Sequence, residues 1–224
     1  MNTLSRDRIL SKLMSARKVT LAALPPRPVL SETALDRAGL LQRFSNELTS
    51  RTGSVYLAKD AKHALEILED ITATEKLTSI ITAGVQMAGI DLKAFGKANR
   101  ITITDASDLK DRETLQEHSF TADAGLTFAD FAVAETGTVG LIFNTRQPRL
   151  VSIAPPVHIA IIQENRLYPI YEDVIAQVFV QADRIPGQFA FITGPSATSD
   201  IQAMEFKGMH GPVKVIAIFV LDQT

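Results

Sequence analysis

Three short segments set small and polar residues beside apolar runs, and their side chains decide what chemistry is on offer. Ala134-Glu135-Thr136-Gly137-Thr138 brings one carboxylate from Glu135 and one hydroxyl from Thr136 beside a glycine that permits an unusual turn or a close approach to a ligand. Glu135 reads as a ligand-binding carboxylate or a base, or else as a solvated charge at a turn beside a structural glycine. Thr193-Gly194-Pro195-Ser196-Ala197-Thr198-Ser199-Asp200-Ile201-Gln202 follows the apolar run at Phe189. Ser199 and Gln202 have capping-box spacing, so the segment predicts a helix start whose free amides point back at a strand end. Such a turn is an anion site, with Ser196 and Thr198 as further donors and a phosphate or carboxylate as its guest. In the alternative, Ser199 and Asp200 only cap the helix. Lys207-Gly208-Met209-His210-Gly211-Pro212 describes a loop of fixed shape that presents an imidazole at the start of the last apolar run. His210 suits an acid, a base, an anion donor or a hydrogen-bonded structural role.

Several chemistries are disfavoured. Ser196 lacks the glycine two positions later that a nucleophile elbow requires, which argues against a hydrolase built on Ser196 with His158, His210 or Asp200. Neither G-x-G-x-x-G nor a P-loop motif occurs. His158, after Pro155-Pro156 at the start of a strand, reads as structural, and His63 and His118 fall on exposed helical faces. The four histidines are too scattered for a helical metal site, and no bound metal is expected. With no cysteine in 224 residues, the chain has no disulfide, no thiolate nucleophile and no cysteine-ligated iron–sulfur cluster, so any cofactor binds non-covalently. A net charge of −2 gives no general attraction for nucleic acid. No apolar stretch is long enough to span a bilayer, and a cytoplasmic location is expected.

Periodicity supplies the elements that must position these residues. Residues 1–18 place Ile9, Leu10, Leu13 and Met14 on one face of a basic helix, and Pro25, Pro26 and Pro28 make an extended linker behind it. This arm (1–30) packs on its own domain or on a neighbouring subunit of a homo-oligomer; both readings stay open. Residues 31–224 are expected to form one α/β domain. There Leu35, Leu41, Phe44 and Leu48 mark a helix ending before Gly53, and Asp60 caps a helix with the stripe Ala61, Ala64, Leu65, Leu68 and Ile71. Strands at 54–58, 79–83 and 100–104 alternate with helices, the pattern of a parallel sheet covered on both faces. Beyond Phe120 the segments 125–128 and 138–144 follow too closely for crossover helices, which predicts antiparallel or mixed pairing. Strands at 158–163, 189–193 and 213–221 and a helix at 172–180 complete the reading, with the last strand interior.

Four motifs in this order, Phe131-Ala132-Val133-Ala134-Glu135-Thr136-Gly137-Thr138-Val139, Pro155-Pro156-Val157-His158, Thr193-Gly194-Pro195-Ser196-Ala197-Thr198-Ser199-Asp200-Ile201 and Gly208-Met209-His210-Gly211-Pro212, resemble the lactate utilization protein C family, or LUD domain. The resemblance implies a Rossmann-like, open, mostly parallel sheet with helices on both faces, similar to the NagB/RpiA/CoA-transferase superfamily. It implies a bacterial three-protein system oxidising L-lactate to pyruvate, in which this chain is the cluster-free member beside iron–sulfur subunits. The motif positions it carries over for a small anionic ligand or cofactor are Glu135, Thr136, Gly137, His158, Gly194, Pro195, Ser196, Thr198, Asp200, His210 and Gly211. Glu135 and His210 are the candidates for catalysis. The alternatives are a free-standing sugar-phosphate isomerase, a CoA-transferase-like enzyme using Glu135, and a metabolite-sensing module without chemistry.

Overall fold

The strands fall where apolar, β-branched runs predict them, and six of them join into one parallel sheet. The structure, a computed structural model, describes residues 3–15, 34–84, 86–87, 89–179, 187–201 and 204–221. In chain order the elements are α1 (Thr3–Ser15), α2 (Arg37–Ser50), β1 (Ser54–Ala58), α3 (Ala61–Glu75), β2 (Ser79–Thr82), β3 (Gln86–Met87), β4 (Ile90–Asp91), α4 (Leu92–Asn99) and β5 (Thr102–Asp105). There follow α5 (Arg112–Thr121), β6 (Ala124–Phe128), β7 (Phe131–Val133), β8 (Thr138–Phe143), α6 (Leu150–Ile153), β9 (Val157–Gln163), β10 (Leu167–Tyr168) and α7 (Tyr171–Val174), which runs on as a π-helical turn, Ile175–Phe179. The last are β11 (Gln188–Ile192), β12 (Ala197–Ile201), β13 (Met204–Lys207) and β14 (Lys214–Val220).

The main sheet has the order β1-β14-β9-β6-β2-β5, and every pairing in it is parallel. β9 and β14 lie inside it and are buried along nearly their whole length, as strands covered on both faces must be. On one face Ala64, Leu68 and Ile71 of α3 and Leu92 and Phe95 of α4 pack on Leu126, Ile159, Ile161 and Ile218. On the other, Leu40, Leu41, Phe44 and Leu48 of α2 pack on Ala160, Ile162, Ala217 and Phe219, with Phe44 edge-on to Phe219 at 4.9 Å. The mixed pairing expected after Phe120 divides between two sheets. β6 joins the parallel sheet, while β7, β8 and β11 pair antiparallel in a second, four-stranded sheet of order β10-β7-β8-β11. Ala132, Val139 and Leu141 of this sheet, with Ala134 of the turn after β7, share the core with α2.

Two expectations change. Leu35 precedes α2 and is 40% exposed, so the helix stripe begins at Leu40. Residues 197–201 are a strand, paired with β13 through Ala197–Lys207 and Thr198–Phe206, so no helix begins at Ser199. The β-branched Thr198 and Ile201, with Phe206 on the facing strand, favour a ladder over the local capping signal. The side chains of Thr198 and Asp200 lie outside the described residues, as do Gln202 and the proline linker. In α1, Ile9, Leu10 and Met14 are exposed. Among the described residues no helix is long and apolar enough to cross a membrane.

Asp60 caps α3 by accepting the His63 amide, as its position predicts. A stronger polar lock joins the starts of β2 and β6. There Asp123 Oδ2 accepts the amides of Thr78 (2.8 Å) and Ser79 (2.9 Å) and both hydroxyls, at 2.8 and 3.0 Å. Burial pushes the Asp123 carboxyl up, but these donors outweigh it and hold it below its ordinary value. The charged form is thus preferred in the fold, and its contribution is lost as pH falls through the carboxylate range. Asp123→Ala is expected to lower stability by about 2 kcal/mol in urea denaturation at neutral pH; an unchanged midpoint would show the lock to be idle.

Candidate functional site

The last turn of α2 is where separated motifs meet. The chain leaves this helix through Arg51 and Thr52, and the β7–β8 turn, Ala134 to Gly137, presses against it. Gly137 has φ 61°, and a Cβ there would overlap the Leu48 amide, so conformation and close approach both require glycine. Arg51 Nη1 donates to Glu47 Oε2 (2.9 Å) and Glu47 O (3.0 Å), and reaches the Thr136 carbonyl at 3.5 Å. Glu47 also pairs with Arg43 at 3.1 Å, so two guanidiniums share one carboxylate and the cluster is net positive.

A chain of hydroxyls leads on from the turn. Thr136 Oγ1 bonds Thr138 Oγ1 at 2.7 Å, and Thr138 Oγ1 bonds Thr193 Oγ1 at 3.0 Å, which ties the first motif to the second. Gly194 then passes so close to Arg51 that a Cβ would lie 3.1 Å from the arginine's own. Between them opens a cleft of ≈ 450 Å³, with Ser50, Arg51 and Thr52 on one wall and Thr193, Gly194, Pro195 and Ala197 on the other. The second motif is in turn fastened to the third. The Ser196 amide donates to Pro212 O (2.8 Å), the Gly208 amide to Ser196 O (2.9 Å), and the His210 amide to Ser196 Oγ (3.3 Å). Gly211 packs on Ser196. The Val213 and Lys214 amides donate to Pro156 O, which brings in the Pro155-Pro156 segment.

Not every predicted residue faces this cleft. Glu135 turns toward α7, where its amide donates to Pro169 O (3.0 Å) and its Oε2 accepts the Tyr171 amide at 3.4 Å, a capping contact. His210 is exposed, and what it offers Ser196 is its amide rather than its imidazole, so no serine–histidine proton relay is assembled. His158 is fully buried in β9, with Nε2 2.9 Å from Thr127 Oγ1 and, among the described residues, no partner for Nδ1; burial lowers its pKa to about 4. Sequence reasoning missed Arg51, since an arginine after a helix end carries no local signal and meets Thr136 and Gly194 only through the fold. Thr138 and Thr193 lay inside the quoted motifs but were assigned no role.

The site thus offers a guanidinium, hydroxyl donors and a glycine wall in an open cleft, a set suited to a carboxylate or phosphate. Exchanging the exposed Arg51–Glu47 pairing for a ligand gives up little, since such pairs contribute about 0.5 kcal/mol.

Fold and cleft define an open, parallel α/β sheet with a second sheet folded over one face and a cleft between the end of α2 and the segment after β11. The LUD domain model matches residues 41–220, and the chain belongs to the LUD domain family. It is similar to lactate utilization protein C of Halalkalibacterium halodurans, 38% identical over 135 residues, which are 59% of this chain and 57% of that protein. The protein of that name in Anoxybacillus flavithermus is 27% identical over 175 residues, covering 78% of this chain and 77% of the relative. The one in Bacillus subtilis is 36% identical over 105 residues, 46% of this chain and 44% of that one. The matched region therefore spans about half the length of several of these curated relatives. A DUF162 family protein from Deinococcus radiodurans has the same fold, with a TM-score of 0.60 at 20% identity over 83% of this chain and 99% of its own.

Proposed function

We propose that this chain is the cluster-free member of a bacterial system that oxidises L-lactate to pyruvate, works beside iron–sulfur proteins, and takes a small organic anion in the cleft at Arg51. The observation that carries the reading is the family match over residues 41–220 together with relatives named for lactate utilization. The convergence of the motifs on a cationic, hydroxyl-lined cleft supports the anion. The absence of cysteine leaves cluster-borne electron transfer to partner chains. Deleting the gene should abolish growth on L-lactate and spare growth on pyruvate, and the tagged chain should co-purify with iron-containing proteins from lactate-grown cells. Normal growth of the deletion strain on L-lactate would overturn the reading.

A further inference from the structure

The outer face of the four-stranded sheet, turned away from α2, is aromatic and only partly covered. Phe131 of β7 lies across Gly140 of β8, where a Cβ would overlap its ring, and Phe191 of β11, paired with Gly140, meets it at a centroid distance of 5.3 Å. α7 closes part of this layer by burying Val174 with Phe131 and Val133, and it sets Tyr171 4.7 Å from Phe191. Phe189 stands edge-on to Phe191 at 5.5 Å. Even so, Tyr171 and Phe189 are 41% and 44% exposed. The margin of the patch at α7 is acidic. Glu135 Oε2 accepts the Tyr171 amide, and an exposed Glu172 and a half-buried Asp173 follow in the same helical turn. An exposed aromatic patch with a charged rim suits contact with another protein surface.

The same chain carries a segment of complementary character in α1. A helix of 13 residues is marginal in water by itself and takes its stability from packing an apolar face. Yet Ile9, Leu10 and Met14 of α1 are exposed, Met14 to 86%, so within one chain these side chains have no core to join. The polar face is basic. Arg8 and Lys12 stand exposed one turn apart, and Asp7, the one acid of the helix, is met by Arg6 at 3.9 Å. Basic helix and acidic rim are thus opposite in sign. Residues 16–33 separate α1 from the domain and span at most about 60 Å, which allows the helix to reach a neighbouring molecule.

We propose that α1 of one copy docks its apolar face on the aromatic patch of a second copy, with Arg8 and Lys12 toward Glu172 and Asp173, and that the reciprocal exchange closes a two-fold dimer. In a single chain both the helix face and the patch stay exposed; the exchange covers both, and the opposite charges at the rim set the orientation. The dimer depends on neither the ligand nor the reaction of the cleft at Arg51. Sedimentation velocity of the full chain from about 1 to about 100 μM should show a concentration-dependent dimer. Leu10→Asp with Met14→Asp changes side chains that the single chain leaves exposed, so the domain should stay folded while the dimer weakens about a hundredfold or more. Arg8→Glu with Lys12→Glu, and separately Glu172→Lys with Asp173→Lys, should each weaken it about tenfold, and the four changes together should bring it back to within about threefold of the parent. A chain that stays monomeric over the whole range, a dimer unmoved by Leu10→Asp with Met14→Asp, or a combined variant no tighter than either charge-reversed pair overturns the proposal. In the first case, co-sedimentation of the monomer with vesicles of anionic lipid would assign α1 to a membrane surface instead.

Discussion

Replacing Gly125 with alanine should leave little folded protein, the largest stability effect expected of any single methyl group here. Gly125 lies in β6, paired with Ile81 of β2 and His158 of β9. A Cβ at this position would overlap the carbonyl oxygen of Val151 and sit 3.2 Å from Pro155 Cγ. The first obstacle is backbone and the second a rigid ring, so no rotamer change relieves the clash. Helix α6 would have to lift off the sheet and expose Val151, which is fully buried. Overpacking of this kind against fixed neighbours lies at the upper end of single-substitution effects, about 4 kcal/mol or more. Soluble yield and urea denaturation test it; an alanine variant whose midpoint matches the parent would show that α6 is not held as the structure places it.

The second large effect belongs to acid. His158 is fully buried, its environment among the described residues supplies one hydroxyl and no carboxylate, and burial lowers its pKa to about 4 from 6.5. The neutral ring is favoured in the fold, whereas the unfolded chain takes up a proton as pH drops below 6.5. Stability contributed at neutral pH is therefore lost between about 6.5 and 4, in the direction opposite to that of a histidine paired with a carboxylate. The loss should reach about 2 kcal/mol at pH 5 and about 3 kcal/mol below the folded pKa. Urea midpoints at pH 7 and pH 5 should show it, and in His158→Gln the step should shrink to what the carboxylates contribute. An identical step in that variant would mean that His158 does not titrate on unfolding.

The sheet was legible because its strands are continuous apolar runs separated by capped helices. Asp60 ahead of Ala61 and the interior burial of β14 follow directly from such patterns. The segment at Ser199 misled for a physical reason. A capping box is a contact between residues three apart, while the β12–β13 ladder is set by residues up to ten apart, and the longer-range pairing prevails. The site was legible only as fragments. Glu135, Thr136 and Gly137 are contiguous in the chain, yet the turn sends Glu135 to α7 and its two neighbours to α2. Arg51 and Thr136 are 85 residues apart, and no local pattern could have joined them. Asp130 carries no motif of its own, and its bonds from the Ile142 amide and Gln147 emerge only in the fold.

The most direct test of the account is growth on L-lactate of a lactate-utilising strain that lacks its own copy of the gene and carries either this chain or its Arg51→Ala variant, with equal cellular levels of the two verified. The parent chain should restore growth and the variant should fail while remaining folded, because the cleft would have lost its cation. Full growth with Arg51→Ala, or none with the parent chain, would contradict the claim that this cleft serves lactate oxidation.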